Sequence, residues 1–463
     1  MLAGARSSRS LTIEDQWYHV APGCVAGPSV VTVRAVERRG HQNAARRTAE
    51  PHVPILLATA IEMGRLANEA LARAGFDEGV LVGDVRRGVE IVDDLKMVVR
   101  GPHDVRALAS ALGNAEACTA VDITGKDQLR LVFQGGGRAH VHVVPRTRFV
   151  EAIVRETGSP RHVRWLESMA ASSGGLGAVS GRARDEAGVY TALGLPFAPP
   201  ELRERSTRRV PDLVGSVRGI FHVHTLWSDG TASIAEMARA TRAAGFEYLG
   251  ITEHSRAASY AGGLDASQLR RQAREVSHVR REVPDVLILH GVEVDVLADG
   301  SLDIDDAALA ALDFVIASVH TDLDMAAPEM TARLLAAVRH PLVTILGHPT
   351  GRLLLGREGS AFDVEAVAAA AAENDTFLEI NANPQRLDLG EDLVRRAAAR
   401  GARFAIDPDA HTPRGVRDTG LGLTVARRAG LSASQVLNAR GADEVKSYLA
   451  ARRRKARRAL ALA

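Results

Sequence analysis

Apolar positions recur along the chain with two different periods. Residues 1–48 show neither clearly: Arg, Gly, Ser and Pro surround one β-like run at 29–36, and a poorly structured segment is expected there. From about His52, Leu56, Ala60, Met63, Ala67 and Leu71 fall at three- and four-residue steps, with Ile55 and Leu66 widening the stripe. That spacing predicts an amphipathic helix, with Gly75 as its stop signal. Short apolar runs follow at 80–85 and 94–99, then a helical pattern at 105–112 and two runs at 128–133 and 140–144. The last two bracket Gly135, Gly136 and Gly137, a hairpin signal. A small α/β unit with a mixed sheet is expected over 49–195. Pro196, Pro199, Pro200 and Pro211 then lie among charged residues, as in a stiff linker, placed at 196–217.

Beyond that seam the pattern becomes regular. Apolar runs at 219–223, 248–252, 286–294, 314–319, 342–346, 377–380 and 403–406 alternate with Ala-rich amphipathic stretches at 233–244, 267–282, 329–339, 363–373 and 391–400. The interval 294–314 is less regular. Alternating β and α segments predict parallel strands with crossover helices. Seven repeats suggest a closed or nearly closed barrel over 218–450, with a doubly wound open sheet as the alternative. A strongly basic stretch, Arg452, Arg453, Arg454, Lys455, Arg457 and Arg458, ends the chain as a tail at 451–463, either gripping phosphate or simply solvated.

Composition changes this picture little. Of 463 residues, 46% are hydrophobic and 25% charged, which excludes wholesale disorder and coiled coil. Only 4% are aromatic, so bases have few stacking partners. Lys+Arg at 58 against Asp+Glu at 56 gives no global charge to dictate a polyanionic partner. Cys24 and Cys118 cannot build a disulfide framework for a chain this long, which fits a reducing compartment. No apolar run is long enough for a membrane helix, and the first residues lack the apolar middle of a signal peptide. A cytoplasmic protein without membrane contact is therefore expected.

Candidate chemistry sits at the strand ends. His222 and His224 close the first run, with Asp229 in the next loop; His254 follows the second run, and Glu293 lies near the end of the third. His320, His348, and the pair Asp409 and His411 follow the fourth, fifth and seventh. In α/β barrels the C-terminal strand ends are where chemistry is assembled. Residues i and i+2 of a strand share a face, so His222 and His224 reach one site, as do Asp409 and His411 if strand geometry extends that far. Imidazole and carboxylate ligands suit zinc, manganese or iron. Nine ligands exceed one tetrahedral shell, so two or three divalent ions are expected, and multi-metal sites clamp the oxygens of phosphoryl transfer. A lone His past a strand is usually structural; so many at successive strand ends would be a large coincidence. His278 and His340 are expected at the surface or a helix end, and His290 in the core.

The strings HVHTLWSDG, GITEHS, GVEVDVLADGSLD, ASVH, ILGHPTGRLL, LEINANPQRLDL and DAHT resemble the polymerase-and-histidinol-phosphatase (PHP) superfamily, and most closely the C-terminal PHP domain of bacterial family X DNA polymerases. The resemblance covers about 214–450. It implies a distorted seven-stranded (β/α) barrel with a three-metal site. By that likeness one ion takes His222, His224, Glu293 and Asp409. A second shares Glu293 and adds His320 and His348; a third takes Asp229, His254 and His411. Glu253 stands where the family usually has Asp, a position expected to tune the site without ligating. Arg256 and Arg352 are expected to meet phosphate, with Asn381, Asn383 and Arg386 as further substrate contacts.

The first half is similar, more weakly, to the same polymerases: GDVRRGVEIVDDLKMVV to the palm, VVPRTRFVEAIVRETGS and VYTALGLPFAPPELRE to the thumb and exit linker. The likeness implies a small nucleotidyltransferase-like domain. The palm aspartate pair falls on Asp94 and Lys96, the third carboxylate on His140, and Gly-Ser on Gly83 and Asp84. Mg²⁺ wants hard oxygen ligands, so Lys96 and His140 imply an inactive palm. No lyase-type glycine hairpins are found in 1–48. The expected function is a Mn²⁺- or Zn²⁺-dependent DNA phosphoesterase, a 3′→5′ exonuclease or 3′-end processing enzyme of DNA repair. The alternatives are a small-molecule phosphatase of histidinol-phosphatase type, a DNA-binding pseudo-polymerase scaffold, or residual polymerisation through Asp93 or Asp84.

Overall fold

The computed structural model describes residues 32–35, 53–101, 104–206 and 208–461. Most of the expectation for 1–48, with Cys24, lies outside the described residues; within it Thr32–Ala35 is a strand.

The first half is built on a mixed six-stranded sheet in the order Thr32–Ala35, Cys118–Gly125, Gln128–Phe133, Arg138–Pro145, Leu95–Gly101, Val80–Val82. The helix Leu57–Arg73 buries the stripe read from the sequence, with Ala60, Met63, Ala67 and Leu71 in one core with Leu95, Met97, Val99 and Leu108. It stops at Ala74, and Gly75 follows at φ +78°, a conformation open to glycine at no steric cost. The triple-glycine hairpin is present, with Gln128–Phe133 antiparallel to Arg138–Pro145. The first strand is shorter than its apolar run. Gly83 turns to φ +70° and opens the short helix Gly83–Arg87, so Val85 packs from a helix instead. Helices Phe149–Thr157, Pro160–Ala170, Leu176–Ser180 and Glu186–Ala192 gather Val154, Leu166, Val179 and Tyr190 into a separate core.

The Pro-rich segment is packed rather than free. Arg203 is fully buried, paired with Glu186 and lying over the Tyr190 ring, and the Val214 N–H donates to Leu431 O.

All seven later apolar runs become strands, the third dividing into two. Gly219–Ile220, Tyr248–Ile251 and Leu287–His290 form one parallel sheet. Glu293–Asp295, Ile316–Ser318, Ile345–Leu346, Phe377–Asn381 and Arg403–Asp407 form another. Bridges from His254, past the middle strand of the first sheet, to Glu293 and from Val223 to Ala410 join the two sheets. The helices Ile234–Ala243, Ala266–Glu282, Ala327–Arg339, Val364–Glu373 and Glu391–Ala398 supply the crossovers. The irregular interval holds a Val296–Leu302 antiparallel bridge and the single turn Asp306–Leu309.

Aromatics fill the barrel below the strand ends. Phe221 meets Tyr248 at 5.4 Å and Phe314 at 5.2 Å between ring centroids. Gly250 makes room for them, because a Cβ there would lie 2.6 Å from the Phe314 ring and 2.5 Å from Phe221 O. The C-terminal stretch is no loose tail. Helix Ala442–Ala459 runs through it and buries Val445 and Leu449 against this aromatic core. Arg452 donates to the carbonyls of Pro341 and Val343, and Arg453 pairs with Asp313. A basic helix gains more here by capping open carbonyls and covering apolar surface than by remaining in water.

Candidate metal centre

The nine strand-end residues converge on one pocket. His222, His224 and Glu293 are fully or almost fully buried, while Asp229 and His411 stand at the rim. Glu293 is the hub: its carboxylate lies 2.9 Å from His348, 2.8 Å from His254, and 3.3 Å from both His222 and His320. Asp409 approaches His224 at 3.3 Å and His222 at 3.6 Å. Asp229 approaches His254 at 3.5 Å and His411 at 3.4 Å. Four overlapping sets bring one ligand atom per residue within 4.8 Å of one another: His224, Asp229, His254 and His411; His222, His224 and Glu293; His222, His348 and Asp409; His254, Glu293 and His320.

The local backbone differs from a plain strand reading at one pair. The seventh strand ends at Asp407, and Asp409 sits at φ +49°, as His348 does at +23°. Asp409 and His411 therefore meet the site from a left-handed turn, not from alternating strand positions. His411 instead stacks on His224, 4.2 Å between centroids. Left-handed non-glycine backbone at two such residues is local strain held by its surroundings.

The donor set fits divalent cations. His222 Nε2 and both ring nitrogens of His224 are buried without a hydrogen-bond partner among the described residues. Orphaned imidazole nitrogens facing carboxylates are what a closed ion shell needs, because buried polar atoms otherwise carry a desolvation cost. The titration pattern agrees. Burial works against charge on His222, yet Glu379, Glu293 and Asp409 outweigh it and hold that imidazole well above its ordinary value. Burial, with His254 and His411 beside it, pushes His224 down to about 3. Although burial opposes it, His222, His320 and His254 hold Glu293 well below the usual carboxylate range.

Two further acids, Glu379 and Asp295, hold candidate ligand residues, and a third, Asp407, holds the backbone beside His222; sequence reasoning missed all three. Glu379 accepts from His222 Nδ1 at 2.7 Å and from the His348 N–H at 2.6 Å. Asp295 accepts from His320 Nδ1 at 2.6 Å. Asp407 takes the Phe221 N–H at 2.7 Å, and burial beside Glu379 raises it to about 8. Two of them stand two residues from a ligand, Asp295 after Glu293 and Asp407 before Asp409. That period-2 spacing was the available signal. Such partners fix ring orientation and tautomer. Glu253 is in none of the candidate ligand groups; it accepts from the Thr225 hydroxyl at 2.5 Å, the Ser228 hydroxyl and Gln272, tying down the loop after Gly219–Ile220.

The proposed substrate contacts divide. Arg386 reaches Asp409 at 3.5 Å, and Asn381 donates to Asp409 at 3.2 Å and to Glu379 at 3.1 Å. Asn383 shapes its loop, its Oδ1 taking the Gln385 N–H at 3.0 Å. Arg352 is partly engaged within the protein: its guanidinium donates to Arg386 O at 2.9 Å, to Leu387 O, and to Glu90 of the first half at 2.7 Å. With those acceptors it buttresses the loop that carries Arg386 and Leu387. Arg256 is exposed beside the pocket. His290 is a core residue, bonded to Gln272 at 2.9 Å; His278 is exposed, and His340 pairs with Asp306 at 3.1 Å.

In the first half, Lys96 faces His140 across paired strands, and His140 lies 3.4 Å from Asp94. Asp84 is paired with Arg87.

Residues 221–383 match the PHP domain family model. A probable phosphatase of Thermoanaerobacter sp. (strain X514) is 29% identical over 50% of this chain and 95% of its own length. A probable phosphatase of Acetivibrio thermocellus is 30% identical over 41% of this chain and 78% of its own. The DNA polymerase/3′-5′ exonuclease PolX of Bacillus subtilis (strain 168) is 34% identical over 79% of this chain and 68% of its own length. That alignment is too long for the barrel alone to account for; with a PHP domain at the ligand-bearing strands, the chain belongs to the bacterial family X DNA polymerases that carry a C-terminal PHP domain.

Proposed function

We propose that this protein is a metal-dependent phosphoesterase acting on DNA 3′ ends, a 3′→5′ exonuclease or 3′-end processing enzyme of DNA repair in the cytoplasm, attached to a polymerase-like half that no longer polymerises. The observation that carries it is the gathering of nine histidine and carboxylate side chains in one pocket, five of the histidines around Glu293, with unpaired imidazole nitrogens among the described residues. Two or three Mn²⁺ or Zn²⁺ ions, or Fe²⁺, suit this set. One would be held by His222, His224, Glu293 and Asp409, another by Glu293, His320 and His348, a third by Asp229, His254 and His411. Such ions supply Lewis acidity toward phosphoryl oxygens and water. The chain's own part is to orient the rings through Glu379 and Asp295 and to bring Arg386 beside the ions, where it can meet a phosphate oxygen. Asn381 holds the Asp409 carboxylate in place.

The polymerase half is read as inactive because Lys96 brings a positive charge where Mg²⁺ would bind, and Asp94 is engaged with His140. The domains are read as 49–195, 196–217 and 218–450, with the basic stretch 451–463 after them. A second reading, a small-molecule phosphatase, has its own support: probable phosphatases match about half of this chain over most of their own length. One assay separates the readings. Purified protein with Mn²⁺ receives labelled single-stranded DNA, histidinol phosphate, and a primer–template with nucleotides. Shortening of the labelled strand from its 3′ end is expected. Release of phosphate from histidinol phosphate alone would replace the DNA reading with the phosphatase.

A further inference from the structure

Five large hydrophobic side chains stand exposed among the described residues: Val53, Phe197, Leu226, Tyr260 and Leu355. Leu226, Tyr260 and Leu355 all lie in loops that follow ligand-bearing strand ends. Tyr260 is the most exposed of the five, at 73%, and its ring centroid is 6.3 Å from that of His254.

Its loop is rigid at the base. Ser255 and Leu264 form a bridge, and the Leu264 N–H donates to His254 O at 2.7 Å. The Ala257 N–H is held by the Asp303 carboxylate at 2.6 Å. Gly263 permits the closure, since a Cβ there would lie 1.9 Å from Ser255 O. On this base the turn Ser259–Ala261 presents Tyr260 to solvent. The same loop carries Arg256, exposed and without a carboxylate partner among the described residues. A flat ring and an uncommitted guanidinium, held a few residues apart beside a phosphoesterase centre, match the two parts of a nucleotide.

We propose that the 255–264 loop is a nucleotide subsite, in which Tyr260 stacks on an unpaired base of a DNA strand and Arg256 meets a backbone phosphate beside the cleaved one. The proposal rests on the DNA reading above and deepens it. Every base offers a π face, so one tyrosine serves all four without reading sequence. A base inside a duplex has both faces covered, so the subsite selects single-stranded or frayed 3′ ends.

The test uses the full-length protein and two strands, one intact and one whose last three residues are abasic tetrahydrofuran units. The unmodified protein is expected to favour the intact strand in kcat/KM by about tenfold, the scale of one stacked base. Tyr260→Ala removes that preference, while Tyr260→Phe and Tyr260→Trp keep it. Without added metal, 2-aminopurine at the 3′ end is quenched on binding the unmodified protein and less so by Tyr260→Ala. If Tyr260→Ala keeps both the preference and the quench, the subsite is wrong while the DNA reading stands. If Tyr260→Phe loses the preference as fully as Tyr260→Ala, the hydroxyl and not the ring acts, and stacking is wrong. An unmodified protein that cleaves no DNA at all overturns the DNA reading and the subsite together.

Discussion

His222 is prepared on both sides of its ring. Glu379 takes Nδ1 at 2.7 Å, which leaves Nε2 facing Glu293 and Asp409. His222→Ala should therefore abolish hydrolysis and lower the bound-metal content by elemental analysis, whereas His278→Ala, on an exposed helix face, should change neither. Glu379→Gln keeps the shape and removes the charge; metal affinity should fall about tenfold to a hundredfold in a calorimetric titration. A different histidine sets a pH limit. His162 is buried between Arg205 O at 2.7 Å and the Tyr190 hydroxyl at 2.8 Å, and burial lowers it to about 4. In the unfolded chain it titrates near ~6.5. The unfolded state thus binds the proton first, so this contribution is intact above about pH 6.5 and is lost as pH falls toward 4, up to about 3 kcal/mol. Urea midpoints across that range should fall less steeply for His162→Gln than for the unmodified protein.

Among the elements, helix Ala442–Ala459 combines two jobs. Its inner face closes the barrel floor through Leu449 and Arg452, so Leu449→Ala should cost about 2–5 kcal/mol in chemical denaturation. Deleting 452–463 would leave Val343 and Pro341 without Arg452 and would confuse unfolding with weakened DNA binding. Arg454, Lys455 and Arg458 are exposed on this helix and carry no such duty. Replacing those three with Gln tests phosphate binding cleanly. Each phosphate that is no longer neutralised should flatten the log–log salt dependence of single-strand binding by about 0.7. An unchanged slope at unchanged stability would leave this face as simply solvated.

On the scale of the whole molecule, the two halves meet beside the metal centre. Glu90 holds Arg352, which holds the carbonyls of Arg386 and Leu387; Asp388 next to them takes the N–H groups of Thr350 at 3.0 Å and Gly351 at 2.9 Å, just past His348. Glu90→Ala should therefore lower kcat of hydrolysis several-fold while circular dichroism of the folded protein stays the same. In a double-mutant cycle Glu90→Ala and Arg352→Ala should be far from additive. The polymerase half itself is expected to be silent. No template-directed extension should appear with Mg²⁺, and Lys96→Asp with His140→Asp is the combination that restores a carboxylate cluster. Robust extension by the unmodified protein would refute the inactive palm.

The fold was largely legible because its signals are local. The seven apolar runs, the intervening amphipathic helices and the Gly135–Gly137 hairpin each depend on neighbours a few residues apart, and each became the expected kind of element. The nine candidate ligands could be placed for the same reason, since a strand-end position follows once the strand is placed. What the sequence left open depends on residues far apart in the chain. Arg352 could be read only as a candidate phosphate contact, whereas tertiary packing also set Glu90, 262 residues away, against it. The basic run at the C-terminus read as either gripping phosphate or solvated, and packing gave its Arg452 a third role on the carbonyls of Val343 and Pro341. Asp409 required a left-handed turn that no pattern of apolar residues encodes. Long side chains take whichever partner folding brings near, so periodicity determines where the backbone goes, and only the packed structure decides which charges remain available for chemistry.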